Sequence, residues 1–203
     1  MKETITNKDA LGYSSAFLNP SAWEKLNQPL FDTLIYPAKG SAQLSFFQIP
    51  VGQGTGKDGG PKSYGETNIV LGGQLPSGQA FIIKTISLRL FLGGQDVRAE
   101  RRFYNRAWFR FDIGSKMYQT GQAADLREGV TEPEISLVFE PEGAGVTVTA
   151  KTGEDWAPYK ISPNNLLLIA NQNFRLSVYD LPPIKTPARI RATLGGELLR
   201  QTA

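Results

Sequence analysis

The chain contains neither cysteine nor histidine among its 203 residues. Without cysteine it forms no disulfide and offers no thiolate nucleophile or thiolate metal ligand. Without histidine it lacks the usual general base near neutral pH, so neither a Ser-His-Asp triad nor the usual zinc site of a hydrolase can be built. These absences exclude most hydrolase mechanisms. We therefore expect a protein that is not an enzyme, with no catalytic residue, no metal ligand and no cofactor.

Long apolar runs are also missing. The first fifteen residues, "MKETITNKDALGYSS", have no apolar segment of the kind found in signal peptides. No window approaches the ~18 consecutive apolar residues needed to span a bilayer. We expect a protein that is soluble when it is made.

Turn-forming residues are plentiful, with 21 glycines and 13 prolines. Between them, apolar residues alternate with polar ones or run continuously, which predicts β-strands. The strand-like segments are "AQLSFFQI" (42–49), "AFIIKTISLRLFL" (80–92), "FYNRAWFRFD" (103–112), "EISLVFE" (134–140), "GVTVTA" (145–150), "NLLLIA" (165–170), "NFRLSVYDLPP" (173–183) and "ARIRATL" (188–194). We count eight or nine strands in all.

This pattern predicts an all-β fold, an antiparallel sandwich of two sheets packed face to face. A jelly roll fits the strand count best, and an immunoglobulin-like sandwich stays open. One short N-terminal helix is expected at "SAWEKLNQP" (21–29), because Ser21 and Glu24 form a capping-box pattern and Pro29 ends the segment. We assign residues 1–36 to an extended N-terminal arm with this helix and residues 37–203 to a single sandwich domain.

A glycine-rich stretch, "IPVGQGTGKDGG" (49–60), suggests a phosphate-binding loop at first sight. The P-loop motif needs G-x-x-x-x-G-K-[ST] followed at once by a helix. Here Lys57 is followed by Asp58, the glycine spacing is one residue short, and "GGPKSYGE" will not start a helix. We therefore predict a long connecting loop without a nucleotide, in which Lys57 and Asp58 are contact residues or solvated.

A basic and aromatic run, "VRAERRFYNRAWFRF" (97–111), carries the strongest charge signal. Residues 84–110 contain seven basic and two acidic residues, whereas residues 121–160 contain eight acidic and three basic ones. As a strand, the run would place Tyr104, Arg106, Trp108 and Arg110 on one face, beside Arg101 and Arg102. Two interpretations stay open: binding of single-stranded nucleic acid or another polyanion, and a protein interface between oppositely charged surfaces.

The arm, the segment "LSFFQIPVGQG" (44–54), the segment "TNIVLGGQLPSGQAFIIKTISLRLF" (67–91) and the strands that follow resemble the small jelly-roll coat proteins of tailless icosahedral bacteriophages. The resemblance implies a single jelly roll and a structural capsid subunit of the virion, made in the host cytoplasm. It implies self-association into trimers or pseudo-hexamers, contacts with other capsid proteins, and no small-molecule substrate. It leaves open whether nucleic acid or an internal lipid layer lies at the inner face.

Interface residues follow from this interpretation. Trp23 and Phe31 are expected to anchor the N-terminal segment, because large aromatic side chains in polar arms usually dock on a surface. The alternative function is a carbohydrate- or polyanion-binding β-sandwich module, such as a phage attachment protein. The interface residues that we predict are Trp23, Phe31, Lys57, Asp58, Arg101, Arg102, Tyr104, Arg106, Trp108 and Arg110.

Overall fold

The computed structural model describes residues 23–91, 97–126, 133–139, 146–152, 159–161 and 165–201. This part of the chain is almost entirely β. Its elements are β1 (Trp23–Leu26), β2 (Leu30–Tyr36), β3 (Ser41–Phe46), β4 (Gln79–Phe91), α1 (Val97–Arg106), β5 (Trp108–Ile113), β6 (Lys116–Gln122), a 3-10 turn (Ala123–Leu126), β7 (Pro133–Phe139), β8 (Val146–Thr152), β9 (Tyr159–Lys160), β10 (Leu166–Ile169), β11 (Phe174–Leu181) and β12 (Ala188–Gln201). Within these residues no helix is long and apolar enough to cross a membrane.

Ten of these strands form two antiparallel sheets. Sheet A runs in the order β1-β12-β4-β10, with β2 also paired to β12 and β9 also paired to β4. Sheet B runs in the order β3-β11-β5-β6, and β7 pairs with β8 as a separate hairpin. The predicted all-β class and antiparallel two-sheet arrangement are confirmed.

The strand pairs are nested, so that each pair joins strands farther apart in sequence than the pair inside it, and together they form one long hairpin. Its closed end is the β5–β6 hairpin, and outward from it β4 pairs with β10, β3 with β11, and β2 with β12. The two arms of this long hairpin then close on each other where β12 pairs with β4 and β11 pairs with β5. Strands far apart in sequence therefore become neighbours in space.

The core lies between the two sheets. Sheet A contributes inward side chains such as Ile86 and Ile190, and sheet B contributes Phe109, Phe111 and Leu176, all fully buried. Each such side chain contributes roughly 1.5–3 kcal/mol relative to an exposed position. In β11 and β12 the apolar residues alternate with polar ones, as expected of strands, and the apolar positions are the buried ones.

A β-bulge at Lys84 keeps both halves of β4 facing the core. The residues of β4 that face the core have odd numbers up to Ile83 and even numbers from Ile86 onward. This change requires one extra residue in the strand. The partner strand carries Gly195 and Gly196 at this point, and a Cβ at Gly196 would overlap the carbonyl oxygen of Ile82. The exposed Lys84 side chain bonds Glu197, which also pairs with Lys25 of β1 at 2.9 Å.

The predicted N-terminal helix is wrong over the residues that the structure describes. Trp23–Leu26 is a strand that pairs with β12 from Gln201 to Leu198. Trp23 packs against the apolar cluster of Ala80, Ile82 and Leu199 on the outer side of sheet A. A long-range strand edge and this apolar contact outweigh the local capping pattern. The rest of the predicted arm, residues 1–22, lies outside the described residues, and the division into residues 1–36 and 37–203 stays a prediction.

The predicted strand over residues 103–112 is half wrong. Residues 103–106 belong to α1, and the strand begins only at Trp108. Ala99, Phe103, Tyr104 and Ala107 are buried, which is a helical spacing. The apolar and polar alternation is clear only over residues 107–111, and its extension back over residues 103–106 misled the strand assignment.

We expect Gly196→Ala to lower the free energy of unfolding by about 3 kcal/mol, because the added Cβ would force the β4 backbone away. The measurement is urea denaturation followed by far-UV circular dichroism. Gly60→Ala is the matched control, since nothing lies within 4 Å of a Cβ there, and it should change stability by less than ~0.5 kcal/mol. Equal stabilities for the two variants would contradict the close approach at Gly196.

Candidate functional site

The glycine-rich loop is a folded structure on the surface of the sandwich. Its backbone closes on itself through Gly52 N–H to Lys62 O at 2.8 Å and Lys62 N–H to Gln53 O at 3.1 Å. Val51 N–H also donates to Ile69 O at 2.9 Å, which ties the loop to the following segment. Lys57 and Asp58 lie at its exposed tip, with 3.8 Å between the Lys57 ammonium and the Asp58 carboxylate.

A carboxylate of the protein itself fills the loop. The buried Glu66 side chain accepts hydrogen bonds from the backbone N–H of Lys57 at 2.5 Å and from the N–H and hydroxyl of Ser63, both at 3.0 Å. A Cβ at Gly56 would lie 2.7 Å from a Glu66 oxygen, so a larger residue there would displace this carboxylate. These N–H groups are therefore already bonded to an anion, which leaves no phosphate cradle.

These hydrogen bonds decide the charge state of Glu66. Burial raises the pKa of this carboxyl, but the donors from Ser63 and Lys57 act in the opposite direction and together hold the pKa below the ordinary value of 4.5. Glu66 is thus a buried anion that orders the loop at neutral pH.

A second buried charge joins the loop to the sandwich. Lys62 and Asp32 form an ion pair at 2.5 Å with side chains only 1% and 0% exposed. The other Asp32 oxygen accepts the Phe47 N–H at 2.7 Å. Burial raises the pKa of Asp32, and Lys62, the Phe47 amide and Thr67 oppose that rise. The segment "GGPKSYGE" gives no sign of this burial in the sequence, because Lys and Glu in a glycine-rich stretch are usually solvated.

We expect Lys62→Met to lower the free energy of unfolding by about 3–5 kcal/mol, because it leaves the Asp32 carboxylate buried without its counter-charge. The double variant Lys62→Met with Asp32→Asn should regain part of that loss, since Asn still accepts the Phe47 N–H. Urea unfolding measures both variants. The exposed Lys57→Met serves as the control and should be nearly neutral. A double variant less stable than Lys62→Met would contradict the stranded charge as the cause.

A pH dependence follows from the Glu66 carboxyl. Because its folded-state pKa lies below the ordinary 4.5, its stabilisation is fully present above that pH and is lost as the pH falls through the lower folded-state value. At pH 7 we expect Glu66→Gln to be less stable than the wild type by about 2 kcal/mol. The difference should shrink on acidification below pH ~4.5, as measured by unfolding at a series of pH values. A difference independent of pH would contradict the assignment.

Four cationic side chains line an open pocket of about 840 Å³, hereafter the basic pocket. One wall is the exposed side of α1, and the other is the connection between β11 and β12. Its lining residues are Arg101, Arg102, Asn105, Arg106, Pro182, Pro183 and Lys185. The structure thus brings three of the predicted arginines together and adds Lys185, which sequence reasoning missed.

Buried contacts hold both walls of the basic pocket in place. On the helix side, Phe103 is fully buried and its ring meets the Tyr36 ring edge-on, with 5.8 Å between ring centroids. On the other side, the Tyr36 hydroxyl donates to Pro182 O, and Ile184 N–H donates to Ala38 O at 2.8 Å. Burial raises the pKa of Tyr36, so this hydroxyl keeps its proton. The walls are therefore fixed relative to each other through β2.

Trp108 and Arg110 lie elsewhere, on the outer face of sheet B. The Trp108 ring stacks on Tyr179 with 4.0 Å between centroids, and its Nε1–H donates to Asp180 at 2.9 Å. Arg110 is bonded to Asp112 at 2.7 Å, and this contact, first through the hydrogen bond and then through charge, raises the Arg110 pKa. The predicted grouping of Arg106 with Trp108 and Arg110 on one strand face is therefore wrong, because Arg106 belongs to α1.

A second group of cations, three arginines, lies on part of the outer face of sheet A. Arg191 lies over the Phe31 ring at 4.9 Å, and Arg89 and Arg189 lie over the Phe91 ring at 5.1 and 5.4 Å. Arg89 stands directly opposite Arg191 in the strand register. The sequence shows that the arginines of "ARIRATL" point outward. That they lie beside Arg89 and Phe91 of β4 depends on the strand order, which the sequence does not show.

The remaining predicted residues have clear positions. Tyr104 is 3% exposed and its hydroxyl donates to Leu88 O at 3.0 Å, so in this conformation it is a core residue and not a surface contact. Trp23 and Phe31 both lie on the outer side of sheet A. Within the described ranges, no cluster of acidic side chains could hold a metal ion.

Comparison with protein-family models, with curated proteins and with solved structures gives no match.

Proposed function

We propose that the two sheets form a single jelly roll. Supporting this proposal, the eight principal strands (β2, β3, β4, β5, β6, β10, β11 and β12), numbered in chain order, stand 1-8-3-6 in sheet A and 2-7-4-5 in sheet B. A jelly roll is such a long hairpin rolled up so that its two arms alternate between the sheets. In this proposal β1 and β9 extend sheet A, and the β7–β8 hairpin is an insertion between the fifth and sixth strands.

We propose that the protein is a structural, non-enzymatic coat subunit that self-associates into a virion shell. A fold alone does not assign a function, so the proposal depends on one surface feature. The segment between β3 and β4 is braced by two buried charged residues, Lys62 and Glu66, and yet displays apolar side chains to solvent. Tyr64, Val70 and Leu71 are 72%, 55% and 43% exposed.

Rigid presentation of apolar side chains favours association. A loop that is already ordered loses less conformational freedom when it docks on a neighbour. The buried ion pair between Lys62 and Asp32 keeps this segment ordered. Removing the two charges from water costs folding free energy, so the pair is not explained by stability alone. In the proposed shell this segment, with Lys57 and Asp58 at its tip, contacts neighbouring copies in trimers or pseudo-hexamers.

We expect the purified protein to form oligomers or larger particles, seen by light scattering and negative-stain electron microscopy. Val70→Asp should shift the distribution toward smaller species, because it places a charge in the proposed apolar contact. Met117→Asp is the matched control, since Met117 is equally exposed, at 54%, but lies at the β5–β6 hairpin. A strict monomer at high concentration, with no particles in any preparation, would overturn the proposal.

The alternative function, a module that binds carbohydrate or polyanion, is also compatible with a basic pocket on a two-sheet fold. Such a module needs no shell. A protein that stays monomeric yet binds a polyanion tightly would therefore favour the alternative.

A further inference from the structure

We propose that the basic pocket is a binding site for a ligand that carries several closely spaced phosphate groups. This inference goes beyond the coat function, because it concerns a surface of one subunit and does not depend on assembly. The residues that would hold the ligand are Arg101, Arg102, Asn105 and Arg106 on α1 and Lys185 on the opposite wall.

The first support is the concentration of like charge. Four cationic side chains line the basic pocket, and no carboxylate is among its lining residues. Within the described part of the chain, no ion pair neutralises Arg101, Arg106 or Lys185. Arg102 and Arg106 are four residues apart on α1, a spacing at which like charges destabilise a helix by about 0.2–0.5 kcal/mol.

The stability of the helix does not explain this arrangement. A basic residue in the last turn of a helix is favourable because of the helix dipole, which accounts for Arg106. The helix dipole does not explain Lys185, because this residue is not on a helix but in the β11–β12 connection. Cations that converge from two separate elements are better explained by a shared anionic partner.

The second support is the fixed geometry of the walls. The buried Phe103 ring and the Tyr36 bond to Pro182 hold α1 and the β11–β12 connection in place before any ligand arrives. A preformed site loses little free energy to reorganisation on binding. Its volume of about 840 Å³ is far more than one phosphate ion occupies and lies in the range of ordinary ligand pockets.

A chain of linked phosphates can bring several negative charges into the basic pocket together. The planar guanidinium of arginine matches phosphate oxygens with paired hydrogen bonds, and three of the four cations are arginines. Neighbouring phosphates of a free polyphosphate share a bridging oxygen, so they lie closer together than the carboxylates on one face of an extended acidic peptide, which are about 6.8 Å apart. A nucleic-acid backbone offers the same phosphate oxygens at a wider spacing and is the second source that the experiment tests.

The test compares two double variants of the full-length protein that lose the same charge. Arg101→Gln with Lys185→Gln removes one cation from each wall of the basic pocket. Arg89→Gln with Arg189→Gln removes two exposed arginines from the outer face of sheet A. All four side chains are exposed, so thermal midpoints and particle sizes should match the wild type and are measured first.

Binding is measured by calorimetry with sodium tripolyphosphate and by fluorescence anisotropy with a labelled oligothymidylate. We expect both probes to bind the wild type, and the pocket variant to lose roughly tenfold or more in affinity through lost charge-assisted bonds. The sheet A variant should lose much less. Binding of the oligonucleotide alone would identify nucleic acid as the source of the phosphates, and binding of both would identify the phosphate chain itself.

Three results would overturn the inference. Failure of both probes to bind would show that the basic pocket does not bind phosphate groups. Equal losses in the two variants would show attraction to overall charge, which does not need a pocket. An oligoglutamate peptide that binds as tightly as tripolyphosphate, and weakens in the same variant, would make the basic pocket an acidic-peptide site. None of these results bears on particle formation, so the coat proposal stands or fails separately.

Discussion

The buried ion pair between Asp32 and Lys62 connects three parts of the chain that are distant in sequence. Asp32 belongs to β2, Lys62 to the β3–β4 segment, and the second Asp32 oxygen holds the N–H of Phe47 just after β3. Phe47 is fully buried with φ of 69°, an unfavourable backbone conformation for a bulky residue. The ion pair therefore fixes the sharp exit from β3, and the shape of the long connection that follows depends on it.

The strands are the part of the fold that the sequence predicts well, because the period of two in β11 and β12 is a local property. Which strands pair with each other is not a local property of the sequence. Ser21 and Glu24 form a helical capping pattern, but Trp23–Leu26 is a strand because β12 offers it an edge. The burial of Lys62 and Glu66 is likewise invisible in the sequence, because it requires Asp32 and the loop backbone to surround them.

The basic pocket was predictable only in part for the same reason. The charge of Arg101, Arg102 and Arg106 stands out in the composition, but their placement on a helix does not. Lys185 is an ordinary lysine in a proline-containing stretch until the fold places the β11–β12 connection beside α1. The sequence thus indicates the positive charge of the α1 wall, but it does not show that Lys185 lies in the opposite wall.

The nested strand order has a consequence for how the protein is made. β12 is the last of the described strands, yet it lies in the middle of sheet A, between β2 and β4. During synthesis the ribosome releases β2 and β4 long before their common neighbour exists, so their facing edges stay unpaired. Closure of the sheet therefore waits until β12 has been translated, and aggregation competes with folding during that interval.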